Sequence, residues 1–396
     1  EICRCDSVAD MIESISHTSD LTERLRERIM REGPMTFYDW MRLALYDVRE
    51  GYYCRNDRQR WGREGDYRTS PERSSLFAAT FARYFASLYD NLGKPSHWTI
   101  AEAGAGDGYF AAGVLQTLKN CFPQIFSATN YVMDEVSSHS RSLAWEHLQP
   151  FADRREFRKL GELEIDFGVV FSNELLDAFP VHRVKMNNGR LREFYVTVGA
   201  NGKFDWTLGP LSTPRLNYYF AGCAIQLAES QVAEVNLEIE GWFMKVAERL
   251  RTGYIVTVDY GANADELYAS HDPHARHRLD VGTLRSFHRH RIVNDVLARP
   301  GEQDLTTTVD WSFVKRVGGK LGFEVIEFER LDKFLLNTGL IEQLESESQS
   351  CGSEAEKLRL STAAREMILP DGMAASFQVF VQKKCYEAGS EGANGG

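Results

Sequence analysis

A turn rich in glycine and acidic residues is the first place where side-chain types and spacing suggest chemistry. In EAGAGDGYF, which starts at Glu102, every second position carries a glycine, namely Gly104, Gly106 and Gly108, and Asp107 lies between the last two. Glycines let the backbone turn tightly and come close to a ligand. The two carboxylates would repel a pyrophosphate, which a Rossmann dinucleotide site binds at such a turn. The turn therefore favours a nucleotide-like ligand that carries positive charge.

S-adenosylmethionine is the ligand that this turn predicts, because its sulfonium and ammonium groups lie close to an adenosine. Two acidic residues, Asp134 and Glu135, follow the next predicted strand, where a carboxylate would accept hydrogen bonds from a ribose diol. Glu135 is the expected ribose partner, and Asp134 is the alternative that the spacing leaves open. The predicted cofactor-binding residues are Glu102, Gly104, Gly106, Asp107, Gly108 and Glu135.

Strands and helices alternate around this turn. The predicted strands each end in polar residues and lie at 98–103, 131–133, 169–172, 254–258, 323–328 and 377–382. Helices are predicted between them, at 109–118 and at about 232–250. This order is typical of an α/β fold with a Rossmann-like, doubly wound, mostly parallel sheet, which binds its ligand at the carboxyl edge.

Segments outside this pattern indicate the domain organisation. Residues 1–95 read as an N-terminal helical cap, with helices at 21–31, 37–46 and about 71–89. Residues 96–384 form the predicted methyltransferase core. The turn signals MNNGR and GANGK mark a β-rich insertion at about 181–226. The polar, glycine-rich tail at 385–396 is predicted to be disordered.

Composition limits the possible partners and compartments. The net charge of −11 disfavours nucleic acid, and no apolar run is long enough to span a membrane. Seven scattered cysteines without a C-x-x-C pair predict no metal site and no disulfide framework. We therefore expect a soluble intracellular protein, in the cytoplasm of a bacterium or alternatively in the mitochondrial matrix, that acts on a protein substrate and can form a homodimer.

Six motifs resemble the MidA family of S-adenosylmethionine-dependent methyltransferases. They are GPMTFYDWMRLALYDVREGYY, GDYRTSPE, EAGAGDGYFAAGVL, FSNELLDAFPVHRV, VDYG and PGEQDLTTTVDW, in order between about residue 21 and about residue 384. The resemblance implies that the doubly wound sheet is the seven-stranded sheet of a class I methyltransferase. It also implies protein arginine methylation, symmetric dimethylation among its products, and a link to assembly of respiratory complex I. It implies that Asn173, Glu174 and Asp177 lie where methyl transfer takes place. The spacer DEVSSHSR after the second strand departs from the family pattern.

The acidic pair in NELLDAFP suits an arginine substrate on chemical grounds. Deprotonating a guanidinium of pKa about 13.8 at neutral pH costs about 9 kcal/mol. Glu174 and Asp177, at the end of a strand, could bind the guanidinium, localise its charge and accept its proton. The simpler interpretation is that Asp177 caps the following turn and that Glu174 is a solvated loop residue.

Two other functions remain open at this point. One is a dinucleotide-dependent oxidoreductase, which the acidic turn disfavours. The other is an assembly factor that binds S-adenosylmethionine without catalysis. Asp259 and Tyr260, Arg285 in a basic rim, and Asp310 are weaker site candidates.

Overall fold

A computed structural model describes residues 20–55, 75–269, 281–288, 291–369 and 372–385. Three predictions lie outside these residues: the GDYRTSPE motif at 65–72, the start of the helix expected at about residue 71, and the tail beyond residue 385.

The strands in the described part of the chain fall into three sheets. In chain order they are β1 (Met35–Thr36), β2 (Trp98–Ala103), β3 (Thr129–Asp134), β4 (Arg155–Phe157), β5 (Ile165–Asn173), β6 (His182–Asn187), β7 (Arg190–Val198), β8 (Phe204–Gly209), β9 (Val232–Val235), β10 (Leu250–Ala262), β11 (Arg285–His288), β12 (Arg291–Ile292), β13 (Asp304–Thr306), β14 (Val309–Asp310), β15 (Glu324–Arg330) and β16 (Phe377–Lys384).

The helices pack mostly against the two faces of the largest sheet. In chain order they are α1 (Leu21–Glu32), α2 (Phe37–Tyr46), α3 (Ser75–Asn91), α4 (Tyr109–Cys121), α5 (Pro123–Ala128), α6 (Ser138–His147), α7 (Arg215–Cys223), α8 (Glu238–Arg249), α9 (Ala264–Leu267), α10 (Trp311–Lys320), α11 (Leu331–Asn337), α12 (Leu340–Ser350) and α13 (Glu354–Ile368). Short 3-10 turns follow α6, β4 and α13.

The largest sheet has the order β15-β16-β10-β5-β2-β3-β4, and the short strand β14 pairs beside β10. Strands β10, β5, β2, β3 and β4 pair in parallel, whereas β16 runs antiparallel to both of its neighbours. The predicted doubly wound, mostly parallel α/β sheet is confirmed. Because β2, β3, β5 and β10 run the same way, the polar residues that follow them meet at one edge.

Helix α3 packs on this sheet. Phe81 and Phe85 contact Phe110 of α4 and Phe171 of β5, with ring centroids 5.3 to 6.4 Å apart. The spacing of four residues places these rings on one face of the helix, which is why the periodicity was informative. Helix α3 therefore belongs to the core of the large sheet, while α1 and α2 share a separate core with β7, through residues such as Leu25, Trp40 and Val196.

The β-rich insertion forms a second sheet of order β1-β7-β6-β9, with β8 beside β7. It extends beyond the predicted end at about residue 226, because β9 pairs with β6 in the register His182↔Val235. The helix predicted to start at about residue 232 starts at Glu238. All four residues of β9 are buried, and a short buried run has no periodicity that separates a strand from a helix.

The third sheet of the described chain is small. Strands β12, β11 and β13 form a small sheet, in which Arg285 pairs with Thr306. In the described ranges, no helix is both long enough and apolar enough to cross a membrane.

Candidate active site

A cavity of about 400 Å³ lies at the carboxyl edge of the large sheet. Its lining includes the residues that the sequence singled out after three different strands: Glu102, Gly104, Gly106, Asp107, Asp134, Glu135, Asn173, Glu174 and Asp177. Residues 102 and 174 are far apart in the chain, and the parallel order of β2 and β5 brings them together. With the exception of Gly108, the fold thus collects the predicted cofactor and catalytic residues around one cavity.

The glycine turn adopts a backbone that other residues rarely adopt. Gly104, Gly106 and Gly108 have φ values of 73°, 54° and 77°. The N–H of Gly104 donates to the carbonyl of Asp134 at 2.8 Å, and the N–H of Gly106 donates to Glu135 Oε2 at 2.9 Å. These bonds join the ends of β2 and β3, so that the turn and the second acid form one unit.

Gly108 has a different position from Gly104 and Gly106, and its predicted part in cofactor binding stays a prediction. It is not among the lining residues of the cavity, and it precedes α4 as its N-cap. A Cβ at this position would lie 2.7 Å from the Cβ of Ala144 in α6. Close packing of α6 against the turn therefore explains this glycine.

Glu102 is held by the neighbouring strand. Its side chain is buried, and Oε2 accepts a hydrogen bond of 2.7 Å from the hydroxyl of Tyr131 in β3. Burial, followed by the nearby Glu102 charge, raises the pKa of Tyr131 well above its ordinary value, so the phenol remains a donor. This bond fixes one oxygen of Glu102 at the edge of the cavity.

The two acids after β3 have different surroundings. Glu135 Oε1 accepts from the N–H of Ser137 at 2.7 Å, in addition to the bond from Gly106. Asp134 Oδ2 accepts from the N–H of Leu160 at 2.8 Å, and burial raises its pKa. Glu135 is therefore coupled directly to the glycine turn, whereas Asp134 ties β3 to the segment after β4.

The segment NELLDAFP is anchored from several elements. The N–H of Glu174 donates to Val258 at 2.9 Å, which continues the pairing of β5 with β10. Glu174 itself has φ of 48°, a left-handed backbone that is strained for a residue with a side chain. Asp259 Oδ2 accepts from the N–H groups of Leu176 and Asp177 at 3.0 and 3.3 Å. The surrounding structure thus holds this segment in one conformation.

Asp177 lines the cavity but is 3% exposed. Burial raises its pKa to about 7, and the nearby Asp304 adds to the rise, whereas hydrogen bonds from Tyr260 and Ala178 and the charge of Arg285 oppose it. Its Oδ1 has no hydrogen-bond partner within the described part of the chain. A buried acceptor without a donor is costly, so this oxygen is suited to receive a donor from a ligand.

Two tyrosines that the sequence did not single out line the cavity near Asp177. The hydroxyl of Tyr46, at the end of α2, donates to the carbonyl of Ala178 at 3.1 Å. Tyr53 lies beside it, with ring centroids 5.4 Å apart. In the sequence, these two rings are marked only by the motif LALYDVREGYY. The motif alone does not show that they lie beside Asp177. Aromatic walls beside a carboxylate suit a flat cation.

The weaker candidates have other positions. Asp310 caps α10, since its Oδ1 accepts from the N–H of Phe313 at 3.1 Å. Asp259 is fully buried and organises the NELLDAFP segment rather than lining the cavity. Arg285 lies over the ring of Tyr260, with the guanidinium carbon 4.6 Å from the centroid. Of these candidates, Asp259, Tyr260 and Arg285 lie near Asp177.

The fold and this site together define a class I S-adenosylmethionine-dependent methyltransferase. The sheet order, the glycine turn and the acid after β3 are the features of that class. Residues 80–329 match a family described as "putative S-adenosyl-L-methionine-dependent methyltransferase", and the chain belongs to this family. The cofactor is S-adenosylmethionine, which agrees with the prediction from the turn.

Known relatives agree with this assignment. A crystal structure of a likely methyl transferase from Burkholderia thailandensis, bound to S-adenosyl-homocysteine, has a TM-score of 0.80 and 27% identity, with 97% of this chain and 96% of that chain covered. The mitochondrial protein arginine methyltransferase NDUFAF7 homolog of Drosophila melanogaster is 27% identical over 76% of this chain and 70% of its own. The rat protein arginine methyltransferase NDUFAF7 is 24% identical over 95% and 87%. The resemblance to MidA-like methyltransferases is confirmed.

Proposed function

We propose that the protein transfers a methyl group from S-adenosylmethionine to the guanidinium group of an arginine in a protein substrate. The observation that carries this proposal is the carboxylate of Asp177. It is buried, it lines the same cavity as the glycine turn, and its Oδ1 lacks a partner in the described ranges. A guanidinium N–H is a donor of the right charge for this oxygen.

The residues at the edge of β2 and β3 fit the cofactor. Gly104 and Gly106 let the backbone come close to a ligand, and Glu102 and Glu135 supply carboxylates. This combination suits a cationic nucleoside. Asp107 also lines the cavity, and its negative charge would favour the sulfonium and ammonium groups of the cofactor. When bound, the cofactor supplies an electrophilic methyl group.

The residues after β5 would prepare the substrate. Glu174 and Asp177 bind the guanidinium, Asn173 orients it through its side-chain amide, and Tyr46 and Tyr53 shield it from water. Asp177 accepts the proton that leaves the methylated nitrogen. A carboxylate with a pKa near 7 accepts a proton more readily at neutral pH than an ordinary aspartate does.

Methyl incorporation into matched peptides tests the proposal. The protein is incubated with S-adenosylmethionine labelled in its methyl group and with two peptides that differ only in arginine or lysine at one position. We expect label in the arginine peptide at a rate at least about tenfold above that in the lysine peptide, because a planar cation fits between a carboxylate and tyrosine rings. Equal labelling would contradict arginine specificity, and no labelling of any protein in a lysate would favour the non-catalytic assembly factor.

Several finer properties remain predictions. They are a location in the mitochondrial matrix, which the mitochondrial relatives favour over the bacterial cytoplasm, a homodimer, symmetric dimethylation and no binding of nucleic acid.

Substitution of Glu135 tests the ribose assignment. We expect Glu135→Ala to weaken S-adenosylmethionine binding by about 1 to 3 kcal/mol, because it removes a charged acceptor and releases the N–H of Gly106. Calorimetric titration measures the affinity, and Asp134→Ala is the matched control because its carboxylate serves Leu160 instead. A larger loss in Asp134→Ala than in Glu135→Ala would assign the ribose to Asp134.

A further inference from the structure

Three aspartates from separate segments are buried beside the substrate end of the cavity. Asp177 follows β5, Asp259 lies in β10, and Asp304 begins β13. Their exposed fractions are 3%, 0% and 0%. Of the three, only Asp177 is among the lining residues. Three acids in a buried cluster cannot all ionise without a large electrostatic cost, so their charges depend on one another.

Backbone and side-chain bonds join these segments. The N–H of Thr307, just after β13, donates to the carbonyl of Asp177 at 3.0 Å. Asp304 Oδ1 accepts a bond of 2.7 Å from the hydroxyl of Tyr53, which lines the cavity. Asp304 is therefore part of the wall behind the proposed substrate site, although the sequence separates it from Tyr53 by 251 residues.

The positive charge of Arg285 opposes the negative charge of this cluster. Arg285 in β11 donates to Thr308 Oγ1 at 2.7 Å and covers the ring of Tyr260 at 4.6 Å. Tyr260 in turn lies close enough to Asp177 to lower the pKa of that carboxyl. Since β11 pairs with β13, Arg285 and Asp304 are held on neighbouring strands of one small sheet. Arg285 and Asp304 thus act on Asp177 from the same small sheet.

Within the described ranges, the ionisable groups around Asp177 come from several elements. They are Tyr46, Tyr53, Asp259, Tyr260, Arg285 and Asp304, with Glu135 and Glu174 also lining the cavity. Burial raises the pKa of all three tyrosines in this set well above the ordinary value, so they stay neutral. Burial and the Asp177 charge raise the pKa of Asp259, and three backbone N–H groups oppose that rise.

We propose that Asp304 and Arg285 are positioning residues that set, in opposite directions, the pH at which Asp177 is able to accept a proton from the substrate. This inference rests on the proposed function of Asp177. Neither residue is among those that line the cavity, so each acts through Asp177 rather than on the substrate itself.

The direction of each effect follows from charge. Asp177 accepts a proton only when ionised, so activity is present above its pKa and is lost as the pH falls through that value. Removing the negative charge of Asp304 lowers the pKa of Asp177, and removing the positive charge of Arg285 raises it. The acidic limb of kcat/KM against pH reports this group in the free enzyme.

The experiment compares three variants with the wild type from pH 5 to pH 9. In Asp304→Asn, which keeps an oxygen acceptor for Tyr53, we expect the acidic limb to move down by roughly one pH unit. In Arg285→Gln we expect it to move up by a similar amount. Arg285→Lys keeps the charge and is the matched control, with the limb at the wild-type position. The proposal would be overturned if the acidic limb of kcat/KM stayed in place while activity fell at every pH. It would also be overturned if the limb moved in the same direction in Asp304→Asn and in Arg285→Gln.

A second measurement follows the carboxyl group without any substrate. Infrared difference spectra between each protein and its Asp177→Asn counterpart report the titration of Asp177 directly. We expect the same opposite displacements of its midpoint in Asp304→Asn and Arg285→Gln. If the protein proves inactive on arginine peptides, the titration midpoints of Asp177 still test this inference separately from the proposed function. Opposite displacements support an effect of Asp304 and Arg285 on the titration of Asp177, and equal midpoints exclude it. If Asp304→Asn does not fold, the pair Arg285→Gln and Arg285→Lys can still overturn the proposal, because equal midpoints in the two variants exclude the effect of the Arg285 charge.

Discussion

Replacement of Gly106 by valine is expected to weaken S-adenosylmethionine binding by more than about a hundredfold, or about 2.8 kcal/mol. Gly106 has φ of 54°, and its N–H donates to Glu135 at 2.9 Å. A β-branched residue avoids this conformation, so the turn would rearrange and release the acid that is proposed to hold the ribose. Isothermal titration calorimetry with S-adenosylmethionine and with its demethylated product measures the loss.

The matched control separates backbone strain from loss of the site. Gly189 has φ of 67° in the turn between β6 and β7, and no atom lies within 4 Å of the position of an added Cβ. Gly189→Val therefore introduces similar strain away from the cavity and should lower stability without changing cofactor affinity. Circular dichroism verifies that both variants are folded. Unchanged affinity in folded Gly106→Val would remove this glycine from the cofactor site.

The parts of the fold that repeat a local period could be predicted from the sequence. Strands such as 98–103 and 169–172 are short apolar runs followed by polar residues, and their parallel order follows from the alternation with helices. Because all these strands share one carboxyl edge, the grouping of Glu102, Glu135 and Glu174 around one cavity was predictable without coordinates.

Features that depend on distant partners could not be predicted. Tyr53 meets Asp304 across 251 residues, and no local pattern indicates that contact. The left-handed backbone of Glu174 could not be predicted from the sequence either, since glutamate has no preference for this conformation. Gly108 matched the spacing of a cofactor glycine but is required by packing against Ala144 in α6. A motif therefore indicates a set of residues, while the role of each member depends on tertiary contacts.

Loss of charge at the two acids of the NELLDAFP segment is expected to separate binding from chemistry. Glu174→Gln and Asp177→Asn keep side-chain size and should leave S-adenosylmethionine affinity within about threefold. We expect each to lower methyl transfer by at least roughly a hundredfold, about 2.7 kcal/mol of transition-state stabilisation. The reason is that each variant loses a negative charge opposite the guanidinium, and Asp177→Asn also loses the proton acceptor. Single-turnover rates with an arginine peptide measure the effect.

The double variant and a backbone variant make the test more specific. If both acids act on one guanidinium, Glu174→Gln combined with Asp177→Asn should lose less than the sum of the two single losses. Glu174→Gly removes the carboxylate and also relieves the left-handed strain at φ of 48°, so it should raise stability by about 1 kcal/mol while abolishing most activity. Such an opposition between stability and activity is the pattern of a strained functional residue. Full activity of Glu174→Gln on an arginine peptide would instead mean that Glu174 is a solvated loop residue and that Asp177 prepares the guanidinium alone.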